Sequence, residues 1–119
     1  MDTKLYNSEL KILNVLWKEG ELPAKDIIKI LNKEVGWNKS TTYTMLKRCA
    51  EKGLIEYGAS DFVCRALITR EDAQKYETRE LIESMYDGSP DRLIASLLNG
   101  EYLSGDDIEK LKKLINSMD

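Results

Sequence analysis

The sequence predicts a mainly α-helical fold, interrupted once by a small β-hairpin. Three observations lead there. Apolar residues recur at helical spacing in three segments before Gly53. The period then shortens in "LIEY" and "FVCRALI", residues 54–57 and 62–68, which are rich in Ile, Val, Phe and Tyr. From Thr69 onward helical spacing returns, punctuated by cap and stop residues.

Each element has its own signals. In "SELKILNVLWKE", Leu10, Leu13 and Trp17 form one stripe with Ile12 and Leu16 beside it. Asn7 or Ser8 is expected to cap this helix and Gly20 to end it. In the next segment Pro23 suits a first helical turn, Ile27, Ile28 and Leu31 give an apolar face, and Gly36 closes it. The third helix is "KSTTYTMLKRC", with Asn38 or Ser40 as cap and Gly53 as stop. Thr42, Met45, Leu46, Cys49 and Ala50 form its inward stripe. "GASD" is the expected turn between the strands, with Gly58 and Asp61 as turn residues. "TRED" then resembles a capping box, with Asp72 in place of the preferred Glu, on a helix reaching about Tyr86. Ser89 and Pro90 start a fifth helix that ends at Gly100, and Ser104 caps a sixth, with two acids near its positive end.

Three helices and a two-stranded hairpin within the first 70 residues are the plan of a winged helix-turn-helix, residues 1–70. Residues 71–119 are left as a helical second domain. The chain of 119 residues suits one compact domain with a modest appendage, and no apolar run is long enough to enter a membrane. The N-terminus has no basic start followed by an apolar core, so a cytoplasmic setting is expected. There is no histidine, which removes the commonest metal ligand and general base. Cys49 and Cys64 stand alone without a CxxC pair. The expectation is no enzyme, no metal and no cofactor. Residues 1–58 carry ten Lys/Arg against eight Asp/Glu, a balance of +2, while residues 59–119 carry eight against thirteen, a balance of −5. The first half can face a polyanion more easily than the second.

With the apolar stripe of the third helix inward, Ser40, Thr41, Tyr43, Thr44, Lys47 and Arg48 face outward or to the flanks, and Lys39 stands at the entry. Short side chains let a helix approach a groove end-on. Hydroxyls can donate to phosphates or meet base edges, and a threonine methyl can touch a thymine methyl. Lys39, Lys47 and Arg48 supply cations for the phosphate backbone, and the helix N-terminal amides favour a phosphate too. The bland alternative is a set of redundant caps on a solvated face.

The run "TTYTMLKRCAEKGLI", with Glu9, Leu16-Trp17 and Ile27 before it and "MYDGSPDRLIASLLNGEYLSGDDIEKLKKLIN" after it, resembles the BlaI/MecI/CopY family of bacterial repressors. The resemblance covers nearly the whole chain. It implies a winged helix followed by a helical dimerisation domain, binding double-stranded DNA at inverted-repeat operators near β-lactam-resistance or copper-handling genes. Carried over by position, DNA contacts fall on Ser40, Thr41, Tyr43, Thr44 and Arg48. A dimer suits such a site because its two recognition helices, about 34 Å apart, meet successive major-groove faces. Cys49 departs from the family's leucine and reads as a small core residue. The cysteine cluster of the copper-responsive branch has no counterpart in "LINSMD". In the β-lactam branch a membrane sensor protease pathway cuts an Asn-Phe bond in the fifth helix. Ser96 and Leu97 stand at the matching positions, a departure that bears on whether cleavage is the signal.

The tail supplies the expected dimer interface. Leu93, Ile94, Leu97 and Leu98 crowd one short helix, and Ile108, Leu111, Ile115 and Met118 are spaced like heptad core positions. Tyr76, Leu81 and Met85 are expected to join them. Packing within the chain is the other way to cover these faces. The competing function is a winged-helix protein-interaction module with no DNA role, which the net charge of −3 would suit.

Overall fold

A computed structural model describes residues 4–58 and 62–118. The elements run α1 (Asn7–Glu19), β1 (Leu22–Pro23), α2 (Ala24–Val35), α3 (Lys39–Glu51), β2 (Ile55–Tyr57), β3 (Val63–Ala66), α4 (Arg70–Met85), α5 (Pro90–Asn99) and α6 (Gly105–Asn116). The expected "GASD" turn falls largely on residues 59–61, which lie outside the described residues. The chain divides into two compact units, Met1–Glu77 and Thr78–Asp119, with the division inside α4.

The first unit is built round one core. Ile12, Leu13, Leu16, Ile27, Leu31, Leu46, Leu54 and Ile55 are all buried, joined by Cys49 and Cys64. Full burial of each large aliphatic side chain contributes about 1.5–3 kcal/mol. Helices α1, α2 and α3 meet over this core, and the small sheet closes one side of it.

The sheet differs from a simple hairpin. Its order is β1-β3-β2, all antiparallel, with Leu22 opposite Cys64 and Pro23 opposite Val63. Pro23 is therefore the end of an edge strand and the N-cap of α2, not a residue of its first turn. An edge strand tolerates a residue without an N–H, because one side of it has no neighbour to bond. The next amide, that of Ala24, donates to the Phe62 carbonyl at 3.0 Å.

The start of α1 also differs from expectation. Its N-cap is Tyr6, not Asn7 or Ser8, and the Glu9 carboxylate accepts from the Tyr6 amide at 2.9 Å. The acid three residues in thus serves the helix end that Asn7 or Ser8 was expected to serve. Three other helix ends follow the sequence. Gly36 adopts the left-handed conformation, φ +75°, that ends α2 without a Cβ penalty. Thr69 accepts from the Asp72 amide at 3.0 Å. Ser104 and Asp107 cap α6 reciprocally, at 3.1 and 3.0 Å. The Ser89 hydroxyl, expected to cap α5, instead donates to the Asp91 carboxylate and holds it below its ordinary pKa.

The second unit contains the end of α4 and all of α5 and α6. Neither α5 nor α6 has a fully buried residue. Within it the Tyr86 hydroxyl donates to Ser96 Oγ at 3.1 Å. Tyr102 folds back over Gly100, where a Cβ would collide with its ring.

Candidate nucleic-acid interface

Helices α2 and α3 are joined by Gly36, Trp37 and Asn38 alone. Asn32 of α2 ties the joint twice. The Gly36 amide donates to the Asn32 carbonyl at 3.0 Å, and the Asn32 side-chain amide donates to the Trp37 carbonyl at 3.0 Å. Asn38, not Ser40, caps α3, with its side-chain oxygen 2.8 Å from the Thr41 amide. That cap takes up one N-terminal amide of α3, which leaves the amides of Lys39 and Ser40 as the pair able to face an anion.

The rest of α3 follows from its two-sided pattern. Thr42, Leu46 and Cys49 are fully buried, with Met45 and Ala50 half-buried beside them. Lys39, Ser40, Tyr43, Thr44, Lys47 and Arg48 are exposed on the opposite face, and Thr41 lies half-buried on the flank. The structure thus brings all seven expected contact residues onto the exposed side and flank of one helix. Among the described residues no acidic partner pairs with Lys39, Lys47 or Arg48. The Lys39 ammonium stands 6.0 Å from the centre of the Tyr43 ring, which leans the two side chains together.

The hydroxyls behave unequally. Thr42 Oγ1 donates inward to the Asn38 carbonyl at 3.2 Å, so a buried polar group is satisfied within its own helix. Thr44 Oγ1 donates to the Ser40 carbonyl at 3.0 Å. Its proton is therefore used, and it offers a groove a methyl and an acceptor rather than the donor the sequence suggested.

Two residues that sequence reasoning did not assign hold this helix in place. Glu9 is completely buried and Lys52, the C-cap of α3, is 17% exposed at its side chain. The Lys52 ammonium donates to both Glu9 oxygens, at 2.6 and 2.8 Å, and to the Lys4 carbonyl at 2.7 Å. It also lies 5.1 Å from the Tyr6 ring centre. The residues are 43 apart in sequence, and only the acid left over on the apolar side of α1 hinted at a partner.

The two thiols are buried without a disulfide. Burial, aided by the nearby Glu9 carboxylate, pushes Cys49 from 9.0 to about 12, and burial pushes Cys64 to about 11. Both are protonated core groups. Among the described residues no cluster of His, Cys, Asp or Glu could hold a metal, and no helix is long and apolar enough to cross a membrane.

The wing carries an ion pair between Arg65 and Glu56 and an edge-to-face pair of Tyr57 and Phe62, centres 6.0 Å apart. Phe62 is 62% exposed.

A helix-turn-helix with a short-chain, cation-bearing outer face and an adjoining wing is a shape that several families share. The penicillinase repressor family model matches residues 5–117. The chain belongs to the penicillinase repressor family. Among its relatives, the penicillinase repressor of Bacillus licheniformis is 25% identical over 114 residues, covering 94% of this chain and 89% of that protein. The methicillin resistance regulatory protein MecI of Staphylococcus aureus is 26% identical over 121 residues, covering 98% of each. The solution structure of Bacillus licheniformis BlaI, in its monomeric form with the blaP half-operator, superposes with a TM-score of 0.52. It is 28% identical and covers 60% of this chain and 90% of that one.

The expected tail residues of this family member have the following places. Tyr76 is half-buried on α4, and Leu81 and Met85 are exposed on the same helix. On α5, Leu93 is half-buried while Ile94, Leu97 and Leu98 are exposed. On α6, Ile108, Leu111 and Ile115 are exposed. Met118 lies past the end of α6, beyond its C-cap Ser117, and its amide bonds the Ile115 carbonyl at 3.1 Å. The Ser96–Leu97 peptide bond is inside α5, where the Ser96 carbonyl accepts from the Gly100 amide at 3.0 Å.

Proposed function

We propose that the chain is a transcriptional repressor of the β-lactam-resistance type. It binds an inverted-repeat operator in double-stranded DNA as a homodimer. The winged helix of residues 1–70 reads the DNA, and the helical segment 71–119 holds two copies together. The observation that carries this reading is the outer face of α3. There Lys39, Lys47 and Arg48 stand without acidic partners among the described residues, around a row of short hydroxyl side chains. Cations in that position neutralise phosphates, and the short residues allow close approach to base edges. Bacillus licheniformis BlaI, which this chain resembles in fold, is in complex with the blaP half-operator, and that supports the same role here. Acting on DNA without catalysing a reaction, the protein belongs in the cytoplasm.

The dimer rests on the second unit. Helices α5 and α6 expose Ile94, Leu97, Leu98, Leu114 and Ile115 and bury nothing fully, so their apolar faces are covered by a second copy. Repression ends when this coupling is lost. A cut between Ser96 and Leu97 by a membrane sensor protease pathway is one route, and it would first have to unwind α5.

Removing residues 89–119 tests the proposal. The fragment should stay folded, become monomeric, and bind the operator about 10²–10⁴-fold more weakly, since two linked modules raise each other's effective concentration. A fragment that holds the operator as tightly as the full chain would refute the dimer mechanism. Operator affinity of the full chain that is indifferent to salt would favour a protein-interaction module instead.

A further inference from the structure

The ion pair of the fully buried Glu9 with the partly buried Lys52 is expensive to place and has a directional consequence. A buried pair of this kind seldom contributes more stability than apolar residues of the same size, because desolvation offsets the attraction. What it adds is direction. The Lys52 ammonium has three protons, and all three are used, on Glu9 Oε1, Glu9 Oε2 and the Lys4 carbonyl. None remains for a phosphate, so Lys52 does not act as a DNA contact. Glu9 in turn accepts from the Tyr6 amide that opens α1. The C-cap of α3, the first turn of α1 and the segment leading into it thus meet at one point.

That point is at the far end of α3 from its short-chain face. Ser40 is twelve residues from Lys52, about 18 Å at 1.5 Å per residue. With that tie loosened, a tilt of about 5° about the buried Leu46 moves Ser40, six residues and about 9 Å away, by about 0.8 Å, more than the roughly 0.5 Å tolerance of a preorganised site. We infer that Glu9 and Lys52 are positioning residues that fix the angle of α3 against α1 and so aim the Ser40–Arg48 face at the operator. The inference rests on the repressor reading. The buried Leu46 and Cys49 hold the middle of α3 and the Gly36–Asn38 joint holds its start, and the ion pair adds three directed hydrogen bonds at its C-terminal end.

The test separates aim from stability. The double variant E9Q/K52M removes both charges at similar side-chain size, so no lone buried ion remains. The probe is the duplex that the wild-type chain enriches from a random-sequence pool, compared with a scrambled duplex. The expected result is a folded protein with a thermal midpoint near wild type and an unchanged salt slope. Its preference for the enriched duplex over the scrambled one should fall about tenfold or more, the effect of misreading one or two base pairs. K52R, which keeps the charge, should recover part of that preference. A double variant that keeps the preference within about twofold overturns the inference. So does one that unfolds, since the pair would then hold up the domain rather than aim a helix. A wild-type chain that enriches no duplex overturns the repressor reading itself, a failure distinct from either.

Discussion

Arg48→Ala is the most direct probe of the α3 face. Arg48 is exposed, sits in the last turn of α3, and has no acidic partner among the described residues. If it neutralises one phosphate, it contributes through released counterions, about 0.9 of a logarithmic unit per tenfold change in salt. At about 0.1 M salt that is about eightfold in affinity for one contact. A symmetric dimer loses two contacts, so affinity should fall about 60-fold and the salt slope should become shallower by about 1.8. Near 1 M salt the variant and the wild type should converge. The fold should survive, because losing a cation near a helix C-terminus costs only about 0.3–1 kcal/mol. The assay is fluorescence anisotropy of a labelled operator across a salt series, with thermal unfolding in parallel. An unchanged slope and an affinity within twofold of wild type would refute the placement of Arg48 on the DNA backbone.

Other outcomes follow from the same geometry. K52M alone leaves Glu9 charged and buried without its partner, so denaturant unfolding should show a loss of about 3–5 kcal/mol, most of which E9Q/K52M should restore. Asn38→Ala removes the cap on Thr41 and should lower stability by about 1 kcal/mol, measured the same way. The thiols should resist a thiol reagent until denaturant is added, since both are buried and held protonated up to about pH 11 and about pH 12. Unfolded thiols release protons near their ordinary value of 9.0, while the folded ones retain them. The unfolded state thus binds fewer protons above that pH, and stability should fall as pH rises from about 9 toward 11, as pH-dependent unfolding would record.

Much of the first unit was legible in the sequence because it obeys local rules. Thr42, Leu46 and Cys49 turn inward at helical spacing, and the same spacing forces Ser40, Tyr43, Thr44 and Lys47 outward. Gly36 marks the end of α2 by its backbone freedom alone. What escaped depends on residues far apart in the chain. Strand β1 has two residues, and only its pairing with Val63 and Cys64 makes it a strand. Pro23 carried a helix-start signal because its neighbour across the sheet cannot be seen locally. Tyr6 is not a residue type that caps helices, so the role of Glu9 was hidden, and Lys52 gave no sign of its distant partner. The donor taken from Thr44 by Ser40 is a local bond, but one that spacing does not announce.

That small bond has a further result. A free threonine hydroxyl on a surface helix samples several rotamers and surrenders that freedom when it docks. Thr44 has already surrendered it to the Ser40 carbonyl, and Tyr43 is steadied by Lys39 beside it. The end of α3 proposed to enter a groove therefore arrives with part of its ordering entropy already spent during folding. Association should lose less freedom at these positions than an unrestrained row of hydroxyls would.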